Sequence, residues 1–193
     1  MLDNDILKHA REFKGYLDSY KYEVSDEGIE FPRAKVMIHG EYEDNYGKTP
    51  NLIPTEGLNH ILMVTLSNTA KLNNFYLALF SGSYTPTNTL TAANFTSTAT
   101  EIVSGTEGYS QATRPAWAPA AAASGVIDNY AAKADFTIAT ATTVTIRGAA
   151  LLSEAVKGST SGVLISAARY GADRVENDGN TYSLGYRVTA TGT

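Results

Sequence analysis

Residues 180–191, NTYSLGYRVTAT, set Tyr182, Leu184, Tyr186 and Val188 against Ser183, Gly185, Arg187 and Thr189 in strict alternation. A period of two is the repeat of a β-strand, whose successive side chains point to opposite faces, so one face is written for a core and the other for water. Four further stretches of the last third carry similar text: GVIDNYA (125–131), ADFTIAT (134–140), TTVTIRGAALLS (142–153) and SGVLISAARY (161–170). Short strands divided by Gly, Ser and Thr turns predict an antiparallel sandwich or barrel rather than βαβ units. Asp178 and Gly179 stand between the last two of them, a dipeptide suited to the positive φ of a tight hairpin turn or short loop.

Moving upstream, NFYLALFSG (74–82) is a near-continuous apolar run stopped by Ser81 and Gly82, the pattern of a buried strand. TEGLNHILMVTLSNTAK (55–71) repeats Leu58, Ile61, Leu62, Thr65 and Leu66 at helical spacing, with Thr55 able to cap and Glu56 well placed in the first turn; Val64 and Thr65 also permit a strand. Residues 83–125 are the least regular, and their prolines favour extended backbone. Trp117, the single tryptophan, is expected as a partly buried core anchor.

Charge is divided unevenly: residues 1–50 hold 18 of the 35 Asp, Glu, Lys and Arg. Within that part, Ile6, Ala10, Phe13, Leu17 and Tyr20 fall on one helical stripe over residues 3–22. The pairs Lys8–Glu12 and Lys14–Asp18 contribute only about 0.2–0.5 kcal/mol each, less than the roughly 1 kcal/mol that Gly15 costs, so this helix needs a surface to pack on. Residues 23–54, with three prolines and three glycines, predict an extended arm with one or two short strands. The expected organisation is mainly β: an N-terminal helix and extended arm over 1–54, then a β-sandwich domain with one short helix over 55–193.

Little in the chain is written for chemistry. A net charge of -5 with no basic stripe argues against a protein that tracks nucleic-acid phosphates. No apolar run approaches the roughly 20 residues that span a bilayer, and the start MLDNDILKHAREF lacks the basic and apolar order of a secretory signal. His9, His39 and His60 are scattered, no cysteine occurs, and Glu41, Glu43 and Asp44 read as a solvated acidic face. ENDGN (176–180) lacks the ligand spacing of a calcium loop, GSTSG (158–162) puts Thr160 where a nucleophile elbow needs serine, and no glycine-rich phosphate loop is present. The expectation is a non-enzymatic protein with no catalytic, cofactor or metal residues. Tyrosine is the interface signal: twelve against six phenylalanines, five of them in the first 50 residues. The candidate interaction residues are Phe13, Tyr16, Leu17, Tyr20, Tyr22, Tyr42 and Tyr46.

The runs TEGLNHILMVTLSNTAKLNNFYLALFSGSYTPTNTLTAANFTSTATEI (55–102), GYSQATRPAW (108–117), TIRGAALLS (145–153), SGVLISAARY (161–170) and NTYSLGYRVTA (180–190) resemble the capsid cement or decoration proteins of tailed bacteriophages, of the jelly-roll type. The resemblance implies a jelly-roll-like sandwich and a virion structural role, made in the host cytoplasm and bound to the capsid exterior. Its implied partners are the major capsid protein, at junctions between capsomers, and further copies of itself as a dimer or trimer; neither nucleic acid nor membrane is among them. A tail, collar or head–tail connector component is the second expectation. A carbohydrate- or receptor-binding sandwich, with Trp117 and nearby tyrosines as a stacking platform, is the third.

Overall fold

The computed structural model of the chain describes residues 22–24, 30–32 and 36–192, with burial described from residue 36 onward. The chain divides into two compact units, Met1–Met37 with Ala190–Thr193, and Ile38–Thr189. In the first, Tyr22–Val24 (β1) pairs antiparallel with Glu30–Pro32 (β2), Glu23 opposite Phe31. The helical stripe Ile6, Ala10, Phe13, Leu17 and Tyr20 lies outside the described residues.

The second unit is a β-sandwich. One sheet runs in the order Leu164–Asn177 (β11), Thr143–Leu152 (β10), Phe75–Phe80 (β5) and Ala116–Trp117 (β7). The other runs Gly47–Pro50 (β4), Val36–Asp44 (β3), Thr181–Gly192 (β12), Ala134–Ala139 (β9) and Gly108–Tyr109 (β6), with Val126–Asp128 (β8) also paired to β12. Between the sheets lie Tyr182, Leu184 and Tyr186 of β12, facing Leu77, Leu79, Ile146, Leu151 and Ile165, so the period-two reading of β12 holds. β5 and β10 are covered on their second face too. Ala78, Phe80, Ala150 and Leu152 pack there under Leu90 and a helix, Ala92–Ala99 (α2), whose Phe95 meets Phe80 edge-on at 6.1 Å. Burial on both faces explains why FYLALF and GAALL read as continuous apolar runs rather than alternating ones.

α2 was not foreseen in the irregular stretch 83–125. Its residues AANFTSTA include two threonines and a serine, poor helix formers, so local propensity is weak. It forms because Thr91 and Asn94 cap it reciprocally and because Ala92, Phe95 and Ala99 share one buried face. Asn94 does what Glu or Gln does in the usual box, bonding back to the Thr91 amide at 2.8 Å.

One further expectation is narrowed and one corrected. Of the two readings of Asp178–Gly179, hairpin turn or short loop, the short loop holds: β11 and β12 belong to opposite sheets, and the turn carries the chain from one to the other. Gly179 takes φ +75°, the Asn180 amide donates to the Asn177 carbonyl, and the turn docks on β9 through the Gly179 amide and the Ile138 carbonyl at 2.9 Å. The boundary at 54/55 also moves. β3 and β4 are strands of the sandwich, and the compact unit begins at Ile38 rather than Thr55.

The inward residues of β3 are Gly40, Tyr42 and Asp44, which is why no apolar alternation announced it. Tyr42 is fully buried, its ring 4.6 Å from that of Tyr186 and its hydroxyl 2.6 Å from the Ser166 hydroxyl. Asp44 is buried because every lone pair is engaged. Oδ1 accepts from the Tyr46 and Gly47 amides at 2.8 and 2.9 Å, and Oδ2 accepts from the Tyr182 hydroxyl at 2.8 Å and from Arg174 Nε at 3.0 Å. Tyr182→Phe removes one charge-assisted bond from this hub and is expected to cost about 1.5–3 kcal/mol, read as a lower urea midpoint with unchanged slope.

Candidate interaction surface

Thr55–Leu66 (α1) is a helix with one Asp, Glu, Lys or Arg, and its exposed polar side chains are the uncharged Thr55, Asn59 and Thr65. Thr55 is its first helical residue and not its cap, which is Pro54 in extended conformation with no side-chain bond. Glu56, the only Asp, Glu, Lys or Arg in TEGLNHILMVTL, does not face solvent freely: its Oε2 accepts from the Ala92 amide of α2 at 2.8 Å and from the Leu164 amide of β11 at 2.7 Å. One carboxylate thus ties the first turn of α1 to two other elements. Gly57 completes the junction, since a Cβ there would run into the Ile165 carbonyl.

From that anchor the helix presents two apolar sides. Ile61 and Val64 are half-buried toward the unit, and His60 meets Phe75 edge-on at 6.3 Å. On the opposite side Leu58, Leu62 and Leu66 recur every four residues, with exposures of 42%, 54% and 81%, and Met63 beside them is 51% exposed. A surface helix ordinarily turns charged residues outward; a row of three leucines and a methionine in water makes this side of α1 a candidate interaction surface. The expected stripe Leu58, Ile61, Leu62, Thr65 and Leu66 therefore splits, with Ile61 inward and the leucines outward.

The outer face of the six-stranded sheet is the contrary case. Lys48 pairs with Glu41 and Glu43, Lys133 with Glu43 at 2.7 Å, and Arg187 with Glu41 and Asp128. Arg187 and Lys48 also stand over the Tyr130 ring at 4.4 and 5.1 Å. Glu43 is held below the usual carboxylate range, chiefly by its bond to Lys133, and Asp128 by the Tyr130 amide. These charges answer one another, in contrast to the outward side of α1.

Of the candidate residues named from sequence, Tyr42 and Tyr46 are the ones whose side chains are described, and they do not share a surface. Tyr42 is a core residue, which removes it from any interaction surface. Tyr46 sits at the β3–β4 turn, 55% exposed, its hydroxyl donating to Glu176 Oε1 at 2.9 Å and its ring 4.9 Å from the Arg174 guanidinium. Tyr22 lies in β1, and Phe13, Tyr16, Leu17 and Tyr20 lie outside the described residues. The α1 face was missed, although one signal was available: its twelve residues hold a single Asp, Glu, Lys or Arg.

Trp117 is used in packing. Its indole lies edge-on to Phe75 and Tyr186, and Nε1 donates to the Tyr186 carbonyl at 3.0 Å. Among the described residues no three His, Asp or Glu side chains gather to hold a metal. Compared with protein-family models and with curated proteins, the chain finds no match.

Proposed function

We propose that this chain is a non-enzymatic virion structural protein of the capsid decoration type, which binds the shell of major capsid proteins and holds capsomer junctions together. The observation that carries the reading is the uncharged outward face of α1, fixed to a sandwich by Glu56 and Gly57. A stiff body bearing one apolar helix face suits docking against a repeated surface, where many modest contacts sum by multivalency. The sequence resemblance points the same way. The charge-rich residues ahead of β3 are proposed as an arm that reaches a neighbouring subunit.

Sedimentation of the purified protein with emptied, undecorated shells tests this. Native protein is expected to co-sediment, and the double variant Leu62→Glu with Leu66→Glu to bind at least about 100-fold more weakly, because two apolar anchors become carboxylates at the contact. Both side chains are exposed, so the variant is expected to keep its fold. Undiminished binding by the variant overturns the α1 assignment. A closed ring in electron micrographs, or label at the tail, replaces decoration with the collar or connector reading.

A further inference from the structure

The β10 edge next to β5 is incomplete. β10 is paired with β11 along its whole length, from Thr143 opposite Asn177 to Leu152 opposite Leu164. On its other edge β5 covers only Gly148 to Leu152 and ends with Phe80 opposite Gly148. There the chain leaves the sheet: the Ser81 and Gly82 amides donate to the Thr100 and Ala99 carbonyls at 2.9 and 3.0 Å, turning it toward the end of α2. Gly82 permits this approach, since a Cβ would press on the Ala99 carbonyl.

The space that a longer β5 would fill is open. A cavity of about 380 Å³ lies there, walled by Thr143, Val144 and Thr145 on one side and by Ile102, Val103 and Ser104 on the other. In an antiparallel strand the N–H and C=O groups of alternate residues point to alternate edges, so two of the four residues Thr143–Ile146 aim both groups away from β11. Among the described residues, no hydrogen bond other than the β11 ladder engages the backbone of those four. An unpaired edge beside an empty slot is the geometry in which extended peptides add as a strand.

Charge narrows the occupant. Glu107 stands at the rim with Oε2 accepting from the Thr140 hydroxyl at 2.6 Å and Oε1 from the Ala141 amide at 3.1 Å. Those bonds hold its carboxyl below the usual range, so it is ionised at neutral pH. No Lys or Arg lines the slot, and Glu101, the other acid in its wall, is already paired with Arg114. We propose that this slot is a strand-addition site for an extended segment of a partner protein, three or so residues long, carrying a lysine or arginine that meets Glu107. The site is independent of the α1 face and of the shell reading.

The test is amide hydrogen exchange by NMR on the isotope-labelled full chain, with the peptide acetyl-Lys-Val-Thr-Val-amide as probe and its Glu-for-Lys twin as control. At a peptide concentration roughly ten times its Kd, exchange of the two outward amides among Thr143–Ile146 is expected to slow about tenfold. The Glu peptide is expected to bind roughly two- to fivefold more weakly, in keeping with an exposed ion pair. Val103→Trp, at a 44% exposed position, fills the mouth of the slot and is expected to abolish the protection without disturbing the fold. Unchanged exchange with either peptide overturns the site, as does protection that survives Val103→Trp. Equal binding of the two peptides overturns the role of Glu107. Protection that grows with protein concentration in the absence of peptide assigns the slot to a second copy and overturns the partner.

Discussion

Above pH 10 the compact unit is expected to lose stability at roughly 7 kcal/mol per pH unit, and to be unfolded between about pH 11 and 12. Five tyrosines, Tyr42, Tyr109, Tyr170, Tyr182 and Tyr186, are buried between the sheets. Burial raises the phenol pKa of each, that of Tyr186 to about 12. Below pH 10 the folded and unfolded chains hold the same phenolic protons. Above it the unfolded chain releases them while the folded chain keeps them, so the unfolded state binds fewer protons and alkali favours it. Each tyrosine contributes about 1.4 kcal/mol per pH unit in that window, and five together exceed the stability of a typical domain within two units. Urea midpoints measured from pH 8 to pH 11 check this. A flat profile to pH 9 followed by a steep fall is expected, and Tyr186→Phe is expected to make the fall shallower.

Replacing Arg114 with alanine is expected to cost about 3–5 kcal/mol. Arg114 is 1% exposed and Glu101 6%, and the two form a bidentate pair through Nε and Nη2 at 2.7 and 2.8 Å. Around them the Glu101 carboxylate also accepts from the Thr96 hydroxyl and the Gly158 amide, and Arg114 donates to the Glu154 and Ser159 carbonyls. The pair thus ties the end of α2, the approach to β7 and the loop between β10 and β11 into one knot. Removing the cation leaves a carboxylate out of water with two neutral donors, whereas removing both charges leaves no uncompensated charge. Arg114→Met combined with Glu101→Gln is therefore expected to be clearly more stable than Arg114→Ala alone, and equal midpoints for the two would show that the pair is not what holds the knot. Thermal and urea unfolding of the three proteins decide it.

How much of this was legible in the sequence depended on whether the inward residues were apolar. β12 was plain because Tyr182, Leu184 and Tyr186 alternate with small or polar partners, and β5 because both its faces are buried. β3 hid its inward side behind Gly40 and Asp44, whose places in the core are completed by Tyr182, Tyr186 and Arg174, more than 120 residues away in sequence. The Glu101–Arg114 pair is similarly invisible, since thirteen residues separate its members and nothing local marks either as buried. The helical spacing of α1 was legible but its direction was not: the spacing of Leu58, Leu62 and Leu66 is the same whether a helix covers its own sheet or awaits another surface. Only the missing charges on its second side separate the two cases.

The inward turn of Glu56 has a consequence for the conditions under which α1 would hold a partner. With its one Asp, Glu, Lys or Arg turned inward onto the amides of Ala92 and Leu164, the helix puts no charged side chain on its outward face for counterions to screen. Contact through Leu58, Leu62, Met63 and Leu66 is then indifferent to ionic strength, strengthened by sulfate and weakened by cold, in contrast to the ion-paired face of the six-stranded sheet. An assembly held this way would survive dilution into fresh water and loosen in ice.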